Sequence, residues 1–346
     1  MGKRGKYLSL AIIVLTMATV SCAERNRAES PIKITGKAQG SYYSIAYYDE
    51  QQRDFRESID SLLDDFDQTA SLWVEGSLLR RVNDNKDSIV NDCFAELVRM
   101  STEMHELTEG CFDCTVGKLV NAWGFGFSKR QEMSDSTIEA LLHHVGRQPI
   151  VVTDDKGNKI VHKPSAETTI DFNAIAQGYT TDLVSHFLES HGIENYLVDI
   201  GGEIYARGCK KDGTPWNVGI ERPAENKYSE RQIETVIGLK DLSVVTSGNY
   251  RKYYEKDGVR YSHKIDPTTG RPVDHTLLSV SVVDTAAWRA DALATAFMVM
   301  GMDRALNFIE RHPDDTGMKA VLFIYNDEEG YKSYATEGWK RMKIDN

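Results

Sequence analysis

From Ile32 to the C-terminus, strand-like and helix-like segments interleave without a strict strand–helix–strand alternation. Regular alternation is the mark of a parallel, doubly wound sheet. Its absence directs the chain to an α+β fold, one intimate unit of mixed, mostly antiparallel sheets and packed helices. At 346 residues the chain has ample material for a buried core. Ile32 to Tyr48 is rich in β-branched and aromatic residues and reads as a strand pair, with Gly36 and Gly40 as breaks. Later strands are expected at Tyr196 to Ile200, Trp216 to Ile220, Ile233 to Leu239, Ser243 to Thr246, Leu278 to Val283 and Ala320 to Ile324. Phe55, Ile59, Leu62, Leu63 and Phe66 recur at helical spacing, and Phe94 to Thr108 repeats that pattern before Gly110. Helices are also expected from Ser134 to His144, from Asn173 to Gly192, over Ala287 to Met300 and over Asp303 to Arg311.

The N-terminus differs from this pattern. Lys3, Arg4 and Lys6 precede an apolar stretch, Leu8 to Val20, too short for a comfortable membrane span. It ends in Thr19-Val20-Ser21-Cys22, small residues and a cysteine in the manner of a bacterial lipobox, although Thr19 stands where Leu is usual. The expected organisation is a lipoprotein signal peptide over 1–21, a polar tether over 22–31 that begins at a lipidated Cys22, and one domain over 32–346. The protein is then expected in a bacterial cell envelope, held to a membrane by its lipid and facing the periplasm or exterior. Lys and Arg number 41 against 52 Asp and Glu, a net charge of −11, and no basic run is interleaved with aromatics. Nucleic acid is therefore not an expected partner. Cys111-Phe112-Asp113-Cys114 invites a redox or zinc reading, but no second such pair or spaced His pair accompanies it, and ordinary buried thiols, or one opportunistic disulfide, are the expectation.

Four constellations can carry chemistry. In Asp171-Phe172-Asn173-Ala174-Ile175-Ala176-Gln177-Gly178-Tyr179, an extended segment delivers Asp171 to a helix N-terminus, whose N–H groups and dipole favour an anion such as a pyrophosphate. Gly178 within the first turns costs about 1 kcal/mol against Ala, which suggests a close approach to the backbone. A plain Asn173 cap with a packing glycine fits the same residues. Asp291 and Thr295 stand at i and i+4 on a largely apolar helix, an arrangement that suits Mg2+, which rarely receives an all-protein cage. His263 and Lys264 precede an Asp266-Pro267-Thr268-Thr269-Gly270 turn that fixes them in place, with His263 a candidate base. Trp123-Gly124-Phe125-Gly126-Phe127, with Trp73, can clamp a flat ring, or can be plain core.

Taken in order with Gly40 to Ile45, Ser77 to Asn83, Phe112 to Val120, Gly201-Gly202-Glu203 and Thr246-Ser247-Gly248, these motifs closely resemble the ApbE family of flavin transferases over about Ile34 to Asp327. The resemblance implies Mg2+-dependent cleavage of FAD, release of AMP and transfer of FMN to a Thr or Ser hydroxyl of a partner. The implied acceptors are flavoprotein subunits of exported or membrane electron-transport complexes. It places FAD near Gln39, Trp73, Trp123, Gly124 and Phe125, with Asp171 and Gln177 on its polar parts and His263 and Lys264 beside its phosphate. It assigns the metal to Asp291, Thr295 and the Ala174 carbonyl, and makes His263 and Asp291 the catalytic pair. Gln39 stands where the family usually has Met, Gln177 where Lys or Glu is common, and Lys264 where an apolar residue is common. The same scaffold would also serve an Mg2+-dependent FAD pyrophosphatase, or a non-catalytic flavin-binding lipoprotein.

Overall fold

The computed structural model describes residues 30–127, 129–146, 148–223, 232–249, 253–256, 259–312, 317–328 and 330–344. The expected leader, Cys22 and the tether as far as Glu29 lie outside the described residues.

Eight strands form one sheet in chain order: β1 (Ile32–Ala38), β2 (Ser41–Tyr47), β3 (Tyr196–Ile200), β4 (Glu203–Arg207), β5 (Leu242–Gly248), β6 (Leu277–Asp284), β7 (Met318–Asp327) and β8 (Gly330–Ala335). Every neighbouring pair is antiparallel. The α+β expectation therefore holds, and the fold is a meander into which helices are inserted. Its central strands are covered on both faces. Val245, Val280, Val282 and Phe323 pack with Phe297 of the helix Ala287–Met300, whereas Val244, Val283, Leu322 and Ile324 pack with Trp216 and Trp339 on the other side. That two-sided burial explains why β6 is buried along nearly its whole length instead of at alternate residues. At the sheet's other end, Tyr43, Ile45 and Val198 meet Ile59 and Leu63 of the helix Arg56–Ala70 and Val184 and Leu188 of the helix Ala176–Ser190.

Three local expectations are corrected. Gly36 does not break a strand. It sits within β1 opposite Tyr43, where an added Cβ would lie 2.4 Å from the Tyr43 ring. The turn is Gln39-Gly40, with φ of 48° and 74°, the left-handed pair that a two-residue hairpin demands. The segment Thr169 to Phe172 belongs to no sheet. Asn83 holds it instead: the Ile170 N–H donates to Asn83 Oδ1 at 2.7 Å, and Asn83 Nδ2 donates to the Ile170 carbonyl at 2.8 Å. The following helix begins at Ala176 and not at Asn173, because the Asn173 N–H is drawn back to Asp171 Oδ1 at 2.8 Å.

Cys111 and Cys114 are free thiols. Arg304 Nη2 donates to Cys111 Sγ at 3.1 Å, and burial raises both thiols above the ordinary cysteine range. Such groups are poor nucleophiles at neutral pH, which suits a packing role.

Candidate active site

Two helices position the core of the site by capping one another. Asp182, from Ala176–Ser190, accepts the Ala287 N–H and the Trp288 N–H, each at 2.9 Å, at the start of Ala287–Met300. In return Asp291, from Ala287–Met300, accepts the Gly178 N–H at 3.1 Å at the start of Ala176–Ser190. Neither helix has a side-chain cap from its own N-cap residue, Ile175 or Ala286. Each therefore takes a carboxylate from its neighbour, an interaction the helix dipole strengthens. The anion at the Ala176 helix start is thus Asp291 of the protein itself. Gly178 serves the same approach. An added Cβ there would lie 2.4 Å from the Ala287 carbonyl oxygen and 2.8 Å from Asp291 Cβ. The close neighbour that the glycine anticipated is the second helix.

Around Asp291 the fold gathers oxygen donors and one cation. Lys264 Nζ donates to Thr295 Oγ1 at 3.2 Å and to Ser247 Oγ at 3.4 Å, and those two hydroxyls are 3.2 Å apart. Ser247 comes from β5 and Thr295 from one turn beyond Asp291. Glu203 opens β4 immediately after the Gly201-Gly202 turn, and its Oε2 is buried with no hydrogen-bond partner. Burial pushes the Asp291 carboxyl above the ordinary range, opposed by the Gly178 N–H and the Lys264 charge. Burial, then the neighbouring Asp291, pushes Glu203 well up. Two sheltered carboxyls that repel one another are a standing demand for positive charge. Gln177 completes this group, its Nε2 lying so close over Gly201 that an added Cβ would be 2.1 Å away.

The hairpin that carries His263 and Lys264 is held on both sides. Asp266 Oδ1 accepts the Thr268 N–H at 2.8 Å, the Gly270 N–H donates to the Asp266 carbonyl at 2.8 Å, and the Val273 N–H donates to the Lys264 carbonyl at 3.0 Å. His263 and Lys264 themselves fall in the break between two short strands and not on one. Trp123 anchors the turn: its indole N–H donates to the Gly270 carbonyl at 2.8 Å, and its ring is buried with Leu119, Ile138 and Ile265. The structure thus gives Trp123 a packing task. Gly124 takes φ +85° directly after it, and Phe125 meets the His263 ring edge-on at 6.3 Å.

The remaining expected residues have other neighbours. Gln39, at the β1–β2 turn, donates through Nε2 to Thr180 Oγ1 at 3.1 Å, while its buried Oε1 has no partner. Its turn lines a cavity of about 450 Å3 with Lys37, Ser41, Asp64 and Asp67. Asp171 rests against Gly117, where an added Cβ would come within 3.3 Å of it, and burial raises its pKa. Ala174 lies in the turn before the Ala176 helix. Trp73 is 68% exposed and packs on Phe127 with ring centroids 4.1 Å apart. Sequence reasoning missed Glu203, Asp182, Asn83 and Ser247 as individual contributors. Glu203, Ser247 and Asn83 had a signal, since each stands in a quoted motif, whereas Asp182 had none.

The donor set tests the metal assignment. Carboxylate, hydroxyl and carbonyl oxygens are the ligands hard divalent cations prefer. The orphaned Glu203 Oε2 and the ammonium already held by Thr295 mark this as a place where positive charge belongs. Among the described residues no cluster of three or more His, Cys, Asp or Glu offers a complete cage. The residues therefore fit Mg2+ in an open site that substrate oxygens would complete.

Fold and site together define an α+β enzyme with a sheltered, oxygen-lined cluster that holds a lysine ammonium. The chain belongs to the ApbE family, whose sequence pattern matches residues 39–321. It is 35% identical to the FAD:protein FMN transferase of Vibrio cholerae over 97% of this chain and 98% of that one. It is 32% identical to the enzyme of that name in Escherichia coli K12, over 98% of both. The crystallised flavin transferase ApbE of Vibrio cholerae superposes with a TM-score of 0.77, covering 90% of this chain and 99% of that one. The Thermotoga maritima ApbE protein gives 0.78 at 29% identity, covering 91% and 100%.

Proposed function

We propose that this chain is an FAD:protein FMN transferase that, with Mg2+, breaks the pyrophosphate of FAD, releases AMP and esterifies FMN to a Thr or Ser hydroxyl of an exported flavoprotein. The observation that carries the reading is the Asp291, Thr295, Ser247 and Glu203 oxygen cluster around the Lys264 ammonium. Relatives at 35% and 32% identity over nearly the whole chain bear the transferase name, which supports the activity.

Asp291, Thr295 and the Ala174 carbonyl would hold Mg2+, which when bound supplies neutralisation of the phosphate charge and of the departing AMP. The protein's own part is positioning. The Asp266–Gly270 turn fixes His263, whose ring is our assignment for accepting the acceptor hydroxyl's proton. Gln39, Gln177 and Asp171 would hold polar parts of FAD, and Trp73, Phe125 and the Trp123-Gly124 backbone its ring side.

The test is incubation with FAD, Mg2+ and an acceptor domain, read by flavin fluorescence on a denaturing gel. A fluorescent acceptor band supports transfer. Free FMN and AMP without that band would make the chain a pyrophosphatase, and unchanged FAD would make it a flavin carrier. In the same assay His263→Ala should lose transfer by about 10²-fold or more, the lower range for a general base, while still binding FAD. Transfer at the wild-type rate in that variant would remove His263 from the chemistry.

The envelope location rests on the leader sequence. Cys22→Ala should release the protein from the membrane fraction and leave its specific activity unchanged. A variant that stays membrane-bound through a high-salt wash would refute lipid anchoring at Cys22.

A further inference from the structure

The cation already inside the oxygen cluster is a side chain. Lys264 Nζ reaches Thr295 Oγ1 at 3.2 Å and Ser247 Oγ at 3.4 Å, and its charge acts on both Asp291 and Glu203. Thr295 is also a residue assigned to the metal, so ammonium and divalent ion share a ligand. Two cations that share oxygens a few ångströms across repel one another strongly in a sheltered site. We propose that Lys264 is a resident cation of this oxygen cluster that a divalent metal must displace, so that this chain binds metal weakly until phosphate oxygens of the nucleotide receive the departing ammonium.

The local anatomy permits that exchange. The Lys264 backbone is fixed, since its N–H donates to Ser262 Oγ at 3.1 Å and its carbonyl accepts the Val273 N–H at 3.0 Å. Displacement therefore involves only the flexible four-carbon stem, with no movement of the hairpin. A lysine's three donors suit phosphate oxygens as well as hydroxyls. The consequence is coupling: nucleotide phosphates stabilise the displaced ammonium, and metal binding and nucleotide binding then strengthen one another by the same factor. An apolar side chain at 264 would leave the carboxyls without their internal counter-charge, so metal would bind directly and nucleotide would add less.

This inference rests on the metal reading, and the experiment separates the two. Mn2+ is titrated calorimetrically into metal-free protein, first alone and then with ADP as a pyrophosphate probe, for the wild type, Lys264→Met, Lys264→Gln and Asp291→Asn. Lys264→Gln keeps a polar group for Ser247 and Thr295 and covers the case in which the Met variant folds poorly. The expected result is at least tenfold tighter Mn2+ binding in the 264 variants without nucleotide. ADP should tighten Mn2+ binding at least fivefold in the wild type and less than twofold in those variants. Equal or weaker metal binding in both 264 variants, with the Asp291→Asn control abolishing it, overturns the resident-cation inference and leaves the metal site standing. No Mn2+ binding by any of the proteins, with or without ADP, overturns both.

Discussion

Asp291→Asn is expected to reduce FAD cleavage by roughly 10³-fold, the scale of removing one electrostatic contact from a water-excluded site, while the protein stays folded. The choice of Asn separates two tasks that Asp291 performs. Its Oδ2 accepts the Gly178 N–H at 3.1 Å and so closes the start of the Ala176 helix. An asparagine carbonyl retains that acceptor, and only the charge is lost. Asp291→Ala removes both and should also destabilise the fold by about 0.5–2 kcal/mol, the range for a lost helix cap. Stability against pH gives an independent signature in metal-free protein. Burial raises the folded Asp291 pKa to about 6 against an ordinary 3.8. Its contribution to stability is therefore fully present below the ordinary value and is lost as pH rises through the raised one. Between those pH values the melting temperature of wild type should fall relative to that of Asp291→Asn. Near-normal FAD turnover in the Asn variant would refute our proposal that Asp291 holds the metal.

Much of this architecture could be read from residue pattern alone, and the reasons for the exceptions are physical. Ala287 to Met300 was legible as a helix with an embedded Asp and Thr because a carboxylate stands out on an apolar element. The Asp266–Gly270 turn was legible because Pro fixes its φ and Gly readily takes the left-handed conformation, here φ +70°, that closes the turn. Asp182 was not legible, since it caps a helix that begins 105 residues away and its own position reads as an ordinary helical acid. Asn83 escaped for the same reason, standing in for a strand partner 87 residues distant. Gly36 was misread because a mid-strand glycine that admits the Tyr43 ring looks, in one dimension, like a turn. Strand Val151–Asp155 carries little apolar signal because most of it is exposed. Glu203 was quoted in a motif without a role, because its meaning lies in its distance from Asp291 and Lys264.

Gly178→Val is expected to abolish soluble, active protein, and Gly178→Ala to cost about 1–3 kcal/mol, the usual penalty for forcing a methyl group into a packed site. The prediction runs against local preference. Gly178 lies inside the Ala176–Ser190 helix, where Ala should be better than Gly by about 1 kcal/mol. Its φ is not left-handed, so no backbone strain requires glycine there. What requires it is the neighbouring helix. A Cβ at 178 would lie 2.4 Å from the Ala287 carbonyl oxygen and 2.8 Å from the Ala287 carbonyl carbon, and backbone cannot swing aside as a side-chain end can. The two helices must part, and parting stretches the Gly178 to Asp291 hydrogen bond and withdraws Asp182 from the Ala287 and Trp288 N–H groups. Stability and the geometry around Asp291, where we propose the metal binds, are thereby lost together. Denaturant unfolding of wild type and Gly178→Ala, with Mn2+ titration of both, measures the two effects at once. If Gly178→Ala proves more stable by the full helix-propensity gain and binds Mn2+ as wild type does, the helices have slack at this crossing. Glycine would then serve no packing purpose there.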